Sequence, residues 1–184
     1  MNLPNRISMV RVLLIPVFAV LALRETAACQ YAALAVFCLA SATDALDGHI
    51  ARSRNLITDF GKFIDPIADK LLVMSALVVL VSQGRMPAWC CIVMLAREFA
   101  VSGFRLVAAG SGRVIAAGWL GKVKTVTQMA AVILLFLLKP VAGAPLLGQA
   151  GVLAADIVLY ISAVMTIWSG VDYIVRNFDC IRDM

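Results

Sequence analysis

The chain has 184 residues, of which 62% are hydrophobic and only 15% charged, and its mean hydropathy is +0.96. That balance excludes a soluble core and points to an integral membrane protein built as one compact helical domain over residues 1–184. One histidine and five cysteines without CxxC spacing leave little scope for histidine-based metal sites, triads or a disulfide framework, while the net charge of +5 suits anionic headgroups or phosphorylated substrates as well as ordinary basic cytoplasmic loops.

A membrane span needs roughly 20 apolar residues at about 1.5 Å each. Six stretches supply that length: 8–23, 28–49, 62–82, 88–109, 122–138 and 150–175. The first resembles a signal peptide followed by a lipoprotein-like Ala27-Ala28-Cys29. Thr26, however, stands where an apolar residue is usual, and more spans follow, so the segment reads as a retained helix. Pro16 should kink it. Gln83 to Pro87 and Lys139 to Gly148 read as short turns on one side, and Gly110 to Arg113 as a turn on the other.

Basic residues set the orientation. One side carries Arg6, Arg11, Arg52, Arg54, Lys62, Arg113, Lys122, Lys124, Arg176 and Arg182; the other carries Arg24, Arg85 and Lys139. The expected fold is therefore an all-α bundle of six transmembrane helices with both termini cytoplasmic. Asp156 and Asp172 in the last span read as local partners near its ends, and Tyr160, Trp168 and Tyr173 as packing residues or interfacial anchors.

Between the second and third spans four acids gather where charge is costly: Asp44, Asp47, Asp65 and Asp69. A carboxylate at the bilayer centre costs about 2.5–3.5 kcal/mol, so such a group implies a cation or a bound ligand. Asp44 and Asp47 are three apart and Asp65 and Asp69 four apart, which puts each pair on one helix face with side chains roughly 5–6 Å apart. The loop near Arg52 to Phe60 lets the two helices run antiparallel and brings the pairs together. An all-oxygen donor set favours Mg²⁺ or Mn²⁺ over Zn²⁺, and two ions about 3.5–4 Å apart suit phosphoryl chemistry. Gly48, Ala51 and Gly61 leave a bare patch that fits either a nucleotide or diphosphate, or close helix packing; Arg52 fits a phosphate or the membrane boundary.

The pattern Asp44-x2-Asp47-Gly48-x2-Ala51-Arg52-x8-Gly61-x3-Asp65-x3-Asp69 resembles the complete signature of the CDP-alcohol phosphatidyltransferases. The resemblance implies a six-helix membrane enzyme, commonly a homodimer, that displaces CMP from a CDP-linked lipid by an alcohol acceptor. It makes Asp44, Asp47, Asp65 and Asp69 the metal site, with Asp69 also the general base. Asp47, Gly48, Ala51, Arg52 and Gly61 become the CDP pocket.

The fourth span carries Arg97, Glu98 and Arg105. These fit an internal ion pair with a boundary arginine. With Lys122 and Lys124 opening the next helix, they also fit a pocket for a phosphorylated acceptor. Arg97-Glu98-x3-Ser102-x2-Arg105 and Gly121-Lys122-x-Lys124-Thr125-x2-Gln128 resemble the phosphatidylglycerophosphate-forming branch of the family, as does Leu3-Pro4-Asn5-Arg6-Ile7-Ser8-x2-Arg11. That branch implies transfer from CDP-diacylglycerol to sn-glycerol 3-phosphate, with Arg97, Arg105, Lys122 and Lys124 at the acceptor phosphate. Membrane lipids are expected partners and nucleic acid is not. The expected place is a bacterial cytoplasmic membrane, with the site facing the cytoplasm. The alternatives are another acceptor (serine, inositol phosphate or phosphatidylglycerol) and, more remotely, a divalent-cation transporter.

Overall fold

The computed structural model describes residues 3–54, 59–110, 115, 118–141 and 145–178, with the side chains at 3–8, 44–66 and 69 outside the description. The described residues form six helices in the order α1 (Leu3–Ala22), α2 (Ala27–Arg54), α3 (Asp59–Ser82), α4 (Ala88–Gly110), α5 (Trp119–Leu138) and α6 (Gly148–Arg176). Five of the six expected stretches lie wholly within these helices, and the first, 8–23, runs one residue past Ala22. Helices α1, α2 and α3 extend past the apolar stretch at one end, because helical hydrogen bonding continues through the polar residues that close each span. Among the described residues, α5 and α6 are long and apolar enough to cross a membrane. Helix α1 runs continuously through Pro16.

Packing joins α1 to α2 and α3, and α6 to α5 and α4. The two groups meet around aromatic rings: Phe18 of α1 lies 5.9 Å from Phe37 of α2 and 5.9 Å from Phe136 of α5, ring centre to ring centre. All three are buried, alongside Leu77 and Leu80 of α3 and Leu159 of α6. Small residues on the same faces, Ala33, Ala40, Ala76 and Ala163, allow the helices to approach closely.

One end of the bundle is closed by a polar network that begins in the turn after α3. Gly84 takes the left-handed conformation (φ 66°), its N–H donates to Val81 O at 3.0 Å, and the N–H of Arg85 donates to Leu80 O at 2.9 Å. That pairing is a glycine-terminated helix stop, and it turns the Arg85 side chain inward, where the residue is 3% exposed. The Arg85 guanidinium donates to Gln30 Oε1 (2.8 Å), Gln83 Oε1 (3.0 Å) and Leu135 O (2.5 Å), and sits 4.7 Å from the Phe136 ring centre. Gln30 in turn donates to Ala22 O (2.5 Å) and Arg24 O (2.8 Å), and Gln83 to Ala22 O (2.6 Å). The Ala22 carbonyl at the end of α1 thus gains side-chain donors, and Leu135 O of α5, which already accepts from the Lys139 N–H, gains a second donor. Burial pulls the Arg85 guanidinium down to about 10, which still leaves it charged at neutral pH.

Candidate functional site

At the other end of the bundle stand the acidic pattern and the basic cluster. Asp44, Asp47, Gly48, Ala51 and Arg52 lie in the last turns of α2, and Gly61, Asp65 and Asp69 in the first turns of α3. Helices α2 and α3 pack on each other. The side chains of these residues lie outside the description. So do the turn residues 111–114, as well as Cys180 and Arg182 beyond α6.

The described part of the site is built on α3, α4, α5 and α6. Glu98 of α4 is its centre: the Lys124 ammonium of α5 donates to Glu98 Oε1, and Arg97 Nη1 donates to the same oxygen at 3.2 Å. Lys124 is 2% exposed and Glu98 is partly buried, so this ion pair spanning two helices encloses its cation more fully than its carboxylate. A third cation stands alongside. Lys70 of α3 donates to Ser102 Oγ, and the Ser102 hydroxyl donates to Glu98 O at 2.6 Å, one helical turn back. Among the described residues, three basic groups therefore gather near one carboxylate, a local surplus of positive charge where α3, α4 and α5 converge.

Two glycines make room for Arg97. A Cβ on Gly121 of α5 would lie 3.6 Å from Arg97 Nη2, and one on Gly170 of α6 would lie 3.0 Å from Arg97 Cγ. The arginine runs across bare backbone on both helices, so its stem is fixed by packing before any ligand is considered.

The sequence-expected basic residues thus divide. Arg97 and Lys124 come together on Glu98. Arg105 turns instead to α6, where its Nε donates to the Tyr173 hydroxyl at 3.2 Å and its guanidinium lies 5.3 Å from the ring centre. Phe104 packs edge-on against the same ring, with centroids 5.8 Å apart and planes at 82°. Lys122 is exposed, on another face of α5 from Lys124. The other intraspan charges pair locally: Asp156 with Lys139 at 3.0 Å and Asp172 with Arg176 at 2.6 Å.

Sequence reasoning missed Lys70, which follows Asp69 and was overshadowed by it, and read Tyr173 as a packing residue or interfacial anchor. The signal for Lys70 was its place midway along α3 as the last charge before a long apolar run, where an ammonium needs a partner. Tyr173 left no comparable signal, because its contact with Arg105 closes over 68 residues of sequence.

Below the cation cluster lies a cavity of about 40 Å³ between α3, α4 and α5. Lys70, Glu98, Lys124 and Gln128 form its polar side, with Leu77 and Leu95 on its apolar side. Gln128 is 2% exposed, and its Nε2 has no hydrogen-bond partner among the described residues.

Comparison with known proteins defines the class. Residues 1–168 match the model of the CDP-alcohol phosphatidyltransferases, and the chain belongs to that family. Among its relatives is the CDP-diacylglycerol–glycerol-3-phosphate 3-phosphatidyltransferase of Bacillus subtilis, 40% identical over 98% of this chain and 97% of the relative. Proteins of the same name from Rickettsia typhi and Shigella flexneri are 39% and 36% identical, each over 94% of this chain and 94% and 93% of their own lengths.

Proposed function

We propose that this chain transfers the phosphatidyl group of CDP-diacylglycerol to sn-glycerol 3-phosphate, yielding phosphatidylglycerophosphate and CMP, as a step of phospholipid biosynthesis. The observation that carries this reading is near-full-length similarity to proteins named for that reaction, at 40% identity in the Bacillus subtilis case. The complete acidic pattern on the packed helices α2 and α3 and the surplus of cations around Glu98 support it.

In this reading the acidic pattern holds the donor. Four carboxylates without histidine or cysteine in the pattern form a hard donor set, which fits Mg²⁺ or Mn²⁺ at Asp44, Asp47, Asp65 and Asp69, with room in the count for two ions. Held by these aspartates, a divalent ion would supply neutralisation of pyrophosphate charge that an apolar setting otherwise opposes. Asp47, Gly48, Ala51, Arg52 and Gly61 line the cytidine diphosphate. Asp69 accepts the proton of the acceptor hydroxyl as its oxygen bonds to the lipid-bearing phosphorus and the bond from that phosphorus to CMP breaks.

The basic cluster holds the acceptor. Arg97 and Lys124 are oriented by Glu98, and Arg105 by Tyr173, so their donors are arranged before the dianionic phosphate arrives. Lys122, exposed at the start of α5, adds charge at the entrance. A zwitterionic acceptor such as serine would gain little from these groups, which favours a phosphorylated acceptor, and the relatives' names make that glycerol 3-phosphate.

The membrane arrangement follows the charges. Six transmembrane helices, both termini cytoplasmic and the site facing the cytoplasm agree with a bundle whose opposite end buries Arg85 and pairs Lys139. Residues 1–184 act as a single membrane domain, and a homodimer in a bacterial cytoplasmic membrane is the proposed assembly.

The test is CMP release by purified protein given CDP-diacylglycerol, Mg²⁺ or Mn²⁺, and a panel of acceptors. Release with glycerol 3-phosphate is expected. Release only with serine, inositol phosphate or phosphatidylglycerol would overturn the acceptor, and no release with any of them would overturn the reaction.

A further inference from the structure

Beside the cavity at the cation cluster sits a hydrogen-bond donor without a partner among the described residues. Gln128 is 2% exposed and lines the space of about 40 Å³, and its buried Nε2 makes no hydrogen bond there. A buried amide donor left unsatisfied is costly, so such a group in a native fold calls for an acceptor atom from outside the protein. The surroundings limit what that atom can be. Val73, Met74, Leu77, Leu95 and Met129 form the wall around Gln128, while Lys70, Glu98, Lys124 and Thr125 line the charged side toward the start of α5. A neutral oxygen carried on an apolar body fits this setting; a phosphate belongs one turn higher, among the cations.

Size and depth point the same way. One water needs roughly 10–15 Å³ by this measure, so the cavity admits a group of a few atoms and not a whole glycerol phosphate. Gln128 stands four residues beyond Lys124 on α5, about 6 Å further along the helix axis away from the charged end. In a diacyl lipid the ester carbonyls lie a short glycerol arm below the phosphate, with hydrocarbon beyond them. That is the order of chemistry met on descending from Lys124 past Gln128 to Leu77 and Leu95.

We infer that Gln128 is a specificity-determining residue for the lipid donor, its Nε2 donating to an ester carbonyl of the diacylglycerol moiety. This rests on the transferase reading above and adds to it a role for a residue outside both the acidic pattern and the acceptor phosphate cluster. Its consequence is discrimination: the enzyme distinguishes ester-linked from ether-linked lipid, because an ether lacks the carbonyl oxygen.

The experiment measures KM and kcat in mixed micelles with CDP-diacylglycerol and with CDP-dialkylglycerol of matched chain length, using glycerol 3-phosphate as acceptor. The wild type is expected to show a KM for the diacyl donor roughly fivefold to tenfold below that for the dialkyl donor, the range of one buried hydrogen bond. Gln128→Met, which keeps the volume and removes the donor, is expected to raise the diacyl KM to the dialkyl value. The dialkyl KM and the KM for glycerol 3-phosphate should stay unchanged. Equal KM for both lipids in the wild type would overturn the role even if the variant failed to fold. An equal rise for both lipids, or a rise in the acceptor KM alone, would also overturn it by assigning Gln128 to packing or to the acceptor. A wild type inert with both lipids and every acceptor would sink the activity and this role together. An active wild type without ester preference would sink this role alone.

Discussion

Arg97 of α4 crosses α6 at Gly170, where an added Cβ would stand 3.0 Å from Arg97 Cγ. The contact is with the stem of the side chain rather than its mobile end, so the arginine must shift if the glycine gains bulk. Gly170→Ala is expected to raise the KM for glycerol 3-phosphate severalfold with a small change in thermal midpoint. Gly170→Leu should cost about 1–3 kcal/mol of stability from overpacking as well. Kinetics and thermal unfolding of the two variants check this; an unchanged acceptor KM in both would separate Arg97 from acceptor binding.

Lys124 and Glu98 form the ion pair at the centre of the cluster, with its cation buried. Removing one member of such a pair leaves the other charged and enclosed, at a cost of about 3–5 kcal/mol. Glu98→Ala should therefore lower the unfolding midpoint in detergent far more than Lys122→Ala, whose side chain is exposed. Equal midpoints for the two variants would contradict the pairing.

Tyr173→Phe separates the hydroxyl from the ring. The ring keeps its contacts with Arg105 and Phe104, while the 3.2 Å hydrogen bond to Arg105 Nε is lost. A loss of about 1 kcal/mol in acceptor binding, near a fivefold rise in KM, is expected with kcat little changed. Tyr173→Ala should lose more, because the stacking surface goes too.

Arg85→Met tests the closed end of the bundle. It strips donors from Gln30, Gln83 and Leu135 O, and each buried polar group left unsatisfied costs about 1–3 kcal/mol. A marked drop in thermal midpoint is expected, with turnover per folded molecule preserved at low temperature. A selective rise in acceptor KM with unchanged stability would be the contrary result.

Asp65→Asn removes one charged oxygen donor from the proposed metal site. Turnover should disappear while folding and glycerol 3-phosphate binding survive, and chelation of divalent metal should silence the wild type in the same way. Calorimetry of acceptor binding beside CMP release distinguishes this from a folding defect.

Much of the architecture was legible because apolar runs and basic turns are local signals. Five of the six expected stretches lie wholly within observed helices and the first overruns α1 by one residue, while the gathering of Arg97 and Lys124 followed from their positions on consecutive helices. The partners of these groups were not legible. Glu98 shared a helical face with Arg105, yet it pairs with Lys124 from another helix, while Arg105 is drawn to Tyr173. Which of several cations takes a carboxylate depends on helix rotation and on small gaps such as Gly121 and Gly170, neither of which periodicity reports. Arg85 read as a loop charge because its inward turn depends on the left-handed Gly84 behind it.

The network around Arg85 ties the ends of α1, α3 and α5 to one point, and Lys70 and Lys124 lie about three turns from it along α3 and α5. Rods pinned at one end are displaced most at the other. A tilt too slight to disturb Gln30, Gln83 or Leu135 is multiplied along the length of α3 and α5 before it reaches Lys70 and Lys124. The bundle is in this respect a pair of tweezers, with its pivot and its jaws at separate points along the helices.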